Sequence, residues 1–250
     1  RVVDLSGAYR LRDENQASHH YKAFDGAETY GLPELFRSQI RGARVISNPG
    51  CYATAVALAL APLLKTGLVD PSLLFVSAVS GISGAGRKAS EEFSFVSIAS
   101  DVRAYRVMAH QHEPEIIQTL AAFSGLASPI GLTFTPHLVP LERGILATSV
   151  AVVRPGVTEA EVREAYVTTY GAEPMVDLGL NAADGRLADV VGTNRVRIGV
   201  SLDAAKCRLV VTSAIDNLIK GAAGQAIQNF NLMHGFEETA ALSSLRRFQS

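Results

Sequence analysis

The segment Asn48-Pro49-Gly50-Cys51-Tyr52-Ala53-Thr54 sets a cysteine between a rigid turn and a long run of small and apolar residues. If that run is a helix, Cys51 meets its unpaired N–H groups and the positive end of its macrodipole. A thiol so placed is expected to ionise readily and to act as a nucleophile near neutral pH, alkylating faster than Cys207. The same N–H groups can hold the oxyanion formed when a thiolate attacks a carbonyl. The alternative is that Cys51 is one more small buried residue, as free cysteines often are. Cys207, between Lys206 and Arg208 on an expected hairpin, carries no such signal. Without a C-x-x-C spacing the two cysteines give no reason to expect a zinc site or a disulfide.

His110-Gln111-His112-Glu113-Pro114-Glu115 supplies acid–base groups. In an extended segment His110 and His112 project from one face, and Glu115 is near enough to orient an imidazole. A histidine beside a thiolate is the usual proton donor and acceptor. A helix cap, an exposed loop or a zinc ligand remain open, although no H-E-x-x-H occurs. Ser80-Gly81-Ile82-Ser83-Gly84-Ala85-Gly86-Arg87 is a glycine-rich turn after a strand, where a ligand loop would sit. Its spacing matches neither G-x-G-x-x-G nor a P-loop, so a plain tight turn stands equally. Arg87, with Lys88, suits a phosphate or carboxylate. Asn217 offers a carboxamide where a strand ends, the place at which open α/β sheets bind ligands.

These residues need elements to hold them. Short apolar runs at 2–5 and 44–46 read as strands, and 51–65 as a buried helix. Residues 8–40 are polar and aromatic, with 30–35 punctuating them as a turn. Residues 73–80, 132–135, 145–153, 195–202 and 208–214 read as strands. Helices are expected to open at 110–116, over 158–170 with a Thr158…Glu161 capping box, and over 222–233.

The 250 residues are 48% hydrophobic and 19% charged, with 23 basic and 24 acidic side chains. A sizeable core is therefore available and wholesale disorder is excluded. The charge balance disfavours nucleic acid and anionic membranes as partners, and the longest apolar run, 55–64, is too short to span a bilayer. Two cysteines suit a reducing, cytoplasmic setting.

Taken together, the Cys51, Ser80–Arg87, His110–Ile116, Pro136-His137-Leu138-Val139-Pro140, Arg143-Gly144-Ile145 and Asp216–Gln225 motifs resemble the N-acetyl-gamma-glutamyl-phosphate reductases, in the family's order. The resemblance implies an α/β fold. It comprises the remainder of a Rossmann-type NADP-binding domain and an α+β catalytic and oligomerisation domain, like that of glyceraldehyde-phosphate and semialdehyde dehydrogenases. The expected divisions are 1–65, 66–215, and 216–250 returning to the first. The implied reaction is NADPH-dependent reductive dephosphorylation in arginine biosynthesis, with Cys51 forming a thioester. His112, with His110 nearby, is then the acid–base group and Glu115 its orienting partner. Ser80, Gly81 and Asn217 would meet the nicotinamide half of NADP, and Arg87 and Arg143 are candidates for the substrate carboxylate. A homodimer or homotetramer is expected, with no metal.

The pattern departs from the family at Ala53, where a proline is usual, and at the front. The sequence starts at Arg1 without the glycine-rich dinucleotide loop, so most of the cofactor site is expected to lie in an upstream segment outside it. A sister reductase of carrier-protein-linked aminoadipyl phosphate in lysine biosynthesis would share nearly every motif. A cysteine-dependent acyltransferase or hydrolase, or a non-catalytic assembly protein, would share the fold.

Overall fold

In the computed structural model, residues 1–13, 29–86, 91 and 94–242 are described, and they form a small sheet and a large one. The small sheet is wholly parallel, with β3 (Val45–Ser47) central between β1 (Val2–Asp4) and β2 (Thr29–Tyr30). The residues read as a turn, 30–35, are instead the junction from β2 into helix α1 (Pro33–Ile40). Pro33 begins that helix because its fixed φ and missing N–H cost nothing in a first turn. Phe36 departs from helical angles, with φ −131°, which blurs the apolar spacing that would otherwise have announced a helix.

After β3 the chain turns at Asn48-Pro49-Gly50 and enters α2 (Cys51–Lys65). Every residue of α2 from Tyr52 to Leu64 is buried, so burial and not amphipathicity drives its formation. Pro62 deprives the Leu58 carbonyl of its usual donor, and the Tyr170 hydroxyl donates to that carbonyl at 2.8 Å.

The large sheet is built from β4 (Val69–Ser80), β5 (Arg103–Ala104), β6 (Leu132–Leu138), β7 (Ile145–Val153), β8 (Val176–Leu178), β9 (Val196–Asp203) and β10 (Arg208–Ile215). Their spatial order is β5-β6-β4-β7-β10-β9-β8, with β4–β6 and β8–β9 parallel and the other pairs antiparallel. β6 runs on through Pro136 to Leu138, past the end read from sequence, beside the two-residue edge strand β5. Alternation on β7 is strict: Ile145, Ala147, Ser149, Ala151 and Val153 are buried while the residues between them are half-buried. That buried face carries α2, whose packing therefore lies with the large sheet and not only with the first sixty-five residues. Helix α3 (His112–Ser124) packs along α2, and α4 (Glu159–Tyr170) opens with the expected Thr158–Glu161 capping box. After β10 a single π turn, Ile219–Ala223, leads into α5 (Gly224–His234). Among the described residues no helix is long and apolar enough to cross a membrane.

Candidate active site

Four chain reversals converge on Cys51: the β3–α2 turn, the turn after β4, the start of α3 and the π turn after β10. Gly50 is the N-cap of α2, in extended conformation, and Cys51 is the first helical residue. A Cβ on Gly50 would lie 2.2 Å from His112 Nε2, so glycine is what lets the imidazole seat against the backbone beside the thiol. A Cβ on Gly221 would lie 2.6 Å from Cys51 Cβ, so the π turn presses on the cysteine from the other side.

The carboxylate of Glu115 is fully buried and holds this turn. Its Oε1 accepts from the Gly50 N–H at 2.8 Å and from the Tyr30 hydroxyl at 2.7 Å. Its Oε2 stands 4.0 Å from His112 Nε2 and 3.8 Å from Arg10 Nη1. Glu115 thus anchors the backbone before the cysteine directly and acts on the imidazole only through its charge, where sequence had suggested a hydrogen bond. The two histidine rings meet edge to face at 4.8 Å, and His110 Nδ1 accepts from the His112 backbone N–H at 3.1 Å. Tyr52 packs edge-on against both rings.

The charge state of the pair departs from the helix-start expectation. Burial pushes the Cys51 thiol up to about 11, although the N–H groups of Tyr52 and Cys51 and the charge of Arg10 pull the other way. Burial, with the positive charges of Arg10 and Arg106, brings the His112 imidazolium down to about 3. The resting pair is therefore a neutral thiol beside a neutral imidazole. The N–H groups that favour a thiolate are present, but desolvation outweighs them.

Cys51 lies between two cavities that share Gly84, Gln111 and His112 as well as the cysteine itself. The first, of about 420 Å³, is lined by Ser80, Gly81, Arg103, Tyr105, Arg106 and His110 among others. Arg106 donates to Gln111 Oε1 at 2.7 Å, and Arg103 pairs with Asp101. The second, of about 250 Å³, is lined by Leu5, Arg10, Asn48, Pro49, Ser83, Asn217, Leu218 and Ala222. Asn217 is fixed by accepting from the Gly144 N–H at 2.7 Å and donating to Ser83 Oγ at 3.0 Å.

Of the residues singled out in the sequence, Cys51, His110, His112, Glu115, Ser80, Gly81 and Asn217 are gathered here. Ser80 and Gly81 line the first cavity, not the one that holds Asn217. Arg143 lines neither: it pairs at 3.4 Å with buried Asp216, and its backbone closes on Gly81. Arg87 lies outside the described residues. Sequence reading passed over Arg10, Tyr30, Arg103, Arg106 and Gly221. Packing of α3 along α2 carries Glu115 to the end of β3, where the pairing of β1, β3 and β2 has gathered Arg10 and Tyr30, and no local pattern marks them.

The model of the family described as "Semialdehyde dehydrogenase, dimerisation domain" matches residues 51–217, from the cysteine to the carboxamide. Solved structures of the same architecture include aspartate semialdehyde dehydrogenase II from Vibrio cholerae, 19% identical with a TM-score of 0.64 over 83% of this chain and 68% of that one. A probable aspartate-semialdehyde dehydrogenase from Pseudomonas aeruginosa is 22% identical, with a TM-score of 0.65 over 93% of this chain and 72% of that one. Fold and family model together define an enzyme of the semialdehyde dehydrogenase class, oxidoreductases of an acyl phosphate and its aldehyde. Proteins named N-acetyl-gamma-glutamyl-phosphate reductase match nearly the whole chain. That of Magnetococcus marinus is 43% identical over 99% of this chain and 72% of its own length, and that of Moorella thermoacetica 45% over 97% and 71%. The chain belongs to the N-acetyl-gamma-glutamyl-phosphate reductase family.

Proposed function

We propose that the protein reduces N-acetyl-glutamyl 5-phosphate to N-acetyl-glutamate 5-semialdehyde, releasing phosphate, in arginine biosynthesis. The reductant is NADPH and the intermediate a thioester on Cys51. The observation that carries this reading is the position of Cys51 between a cavity with two guanidinium groups and a second one with a fixed carboxamide. The guanidinium groups of Arg103 and Arg106 suit a substrate with a carboxylate at one end and a phosphate at the other.

The residues of the second cavity fit a nicotinamide. Asn217 has its carbonyl committed to Gly144 and one amide N–H to Ser83, which leaves the other N–H for a carboxamide oxygen. Leu5, Pro49 and Leu218 offer an apolar wall to a flat ring, and the cysteine stands at its edge. NADPH held there by Asn217 and this apolar wall would supply the hydride.

The chain's own groups do the rest. Cys51 Sγ adds to the acyl phosphate carbon, the carbon–oxygen bond to phosphate breaks, and a thioester remains. Because thiol and imidazole rest neutral, the thiol proton moves to His112 as the carbon–sulfur bond forms, and from there to the departing phosphate. The N–H groups of Cys51 and Tyr52 at the start of α2 stabilise negative charge on sulfur. After reduction the carbon–sulfur bond on Cys51 breaks, the aldehyde leaves, and the thiolate takes up a proton from solvent, relayed through His112, to restore the thiol. His110 holds the His112 backbone, and Glu115 holds Gly50 and so the sulfur's position.

The open face of the large sheet, where Leu73 and Phe75 are nearly half exposed, supports self-association as a homodimer or homotetramer. The function is tested by phosphate-dependent reduction of NADP with N-acetyl-glutamate 5-semialdehyde. Wild type should turn over and Cys51→Ser should lose at least three orders of magnitude while staying folded. Turnover only with a carrier-linked aminoadipate semialdehyde would refute the substrate, and turnover by Cys51→Ser would refute the nucleophile.

A further inference from the structure

Lys220 is completely buried, yet it touches neither cavity and the chemistry above does not use it. Its ammonium donates to Glu34 Oε1 at 2.6 Å and to Gln228 Oε1 at 2.8 Å. Glu34 is also fully buried, in the first turn of α1. Burial opposes its ionisation, but the Lys220 charge and hydrogen bond hold its carboxyl below the usual range. Gln228 on α5 closes the triangle by donating to Glu34 Oε1 at 3.0 Å.

A buried ion pair is a poor way to gain stability, because desolvation of two charges commonly cancels their attraction and apolar residues would serve as well. Its value lies in geometry, and the geometry here is specific. Lys220 sits inside the π turn, one residue before Gly221. Such turns are rare and often mark functional sites. The turn is made by i→i−5 bonds from Gly221 to Asp216 at 2.9 Å and from Ala223 to Leu218 at 3.0 Å. On one side Lys220 anchors it to Glu34 and Gln228. On the other, Gly221 lies so close to Cys51 that a methyl group would not fit, and Asn217, Leu218 and Ala222 wall the second cavity.

We propose that the Lys220–Glu34 pair is a positioning device for the nucleophile: it latches the π turn whose Gly221 backs Cys51 and whose flanking residues form the second cavity's wall. This rests on Cys51 being the nucleophile. Lys220 acts through the turn and never meets substrate. Releasing the latch lets Gly221 draw back, so the thiol becomes more open to a small reagent but less well held for turnover.

The test is the rate of Cys51 carboxamidomethylation by iodoacetamide relative to Cys207 in the same protein, read by peptide mass spectrometry. Lys220→Met/Glu34→Gln removes both charges together, and Glu34→Gln alone is the milder variant should the double one fail to fold. Thermal unfolding is followed alongside. The expected result is a Cys51:Cys207 rate ratio raised at least threefold in a folded variant, with kcat down tenfold or more. A ratio unchanged within twofold in whichever variant folds overturns the proposal, whatever happens to the melting temperature. The ratio does not depend on which acyl phosphate is reduced, so failure of the substrate assignment would leave it intact.

Discussion

The seat of His112 against Gly50 can be tested with a single methyl group. Gly50 has φ −71° and ψ 152°, a conformation alanine adopts freely, so Gly50→Ala introduces no backbone strain. Its Cβ would arrive 2.2 Å from His112 Nε2, 2.6 Å from Cδ2 and 2.8 Å from Cε1. Restoring ordinary contact near 3.5 Å requires a relative shift of about 1.3 Å. The ring cannot simply swing away, because Tyr52 and His110 pack on it. If the imidazole moves, it leaves the thiol; if the turn moves, the Gly50 N–H leaves Glu115. A misplacement of about 1 Å in a reacting group costs on the order of 100-fold in rate, about 2.7 kcal/mol of barrier. Overpacking adds about 1–3 kcal/mol of destabilisation. The measurement is kcat for phosphate-dependent aldehyde oxidation, with denaturant unfolding of the same samples. Gly42→Ala is the control, since a Cβ there meets nothing within 4 Å. A folded Gly50→Ala enzyme with wild-type kcat would refute the assignment of His112 to proton transfer from this seat.

Three further outcomes follow from the same geometry. Because burial carries the Cys51 thiol to about 11, its alkylation at pH 7 should be slow and should still be accelerating above pH 10; a plateau near pH 8 in a pH series would show an activated thiolate instead. His112, about 3 when folded against an ordinary value of 6.5, takes up a proton more readily in the unfolded chain. Its contribution to stability is therefore present above pH 6.5 and lost as pH falls towards 3, at up to about 1.4 kcal/mol per pH unit, so urea unfolding of His112→Gln should show a shallower acid slope than wild type. Thr158→Ala removes the capping box of α4, at a residue that lines neither cavity beside Cys51, and should cost about 1 kcal/mol in urea unfolding with kcat unchanged.

Most of what the sequence disclosed was local. The α2 helix was legible because its fifteen residues, rich in Ala and Leu, are too long for an ordinary buried strand and favour a helix. The Thr158–Glu161 box was legible because capping uses residues three apart. Cys51, His112 and Asn217 stood out because each sits at a turn where an element begins or ends. The start of α1 was misread as a turn, since Gly31, Pro33 and the kink at Phe36 carry the local signals of one. Helix signals in eight residues are easily outweighed by such punctuation. Arg10 and Tyr30 could not be found at all, because their partner Glu115 lies over eighty residues away and reaches them only through the packing of α3 along α2 beside the β1–β3–β2 sheet.

The protonation state of the site shows why local rules misjudge it. A cysteine at a helix start is expected to be a thiolate, and every ingredient of that expectation is present: free N–H groups, the helix dipole and a nearby arginine. The outcome is decided by what packs over the helix start, namely Gly221, His112 and Glu115, which come from distant parts of the chain. They crowd the sulfur, and the burial they contribute raises the thiol more than the helix-start N–H groups and Arg10 lower it. The same packing lowers the resting His112 imidazolium, through burial and the positive charges of Arg10 and Arg106. On the proposed mechanism a neutral pair differs from a preformed ion pair in one respect: charge on the sulfur develops only as the carbon–sulfur bond forms.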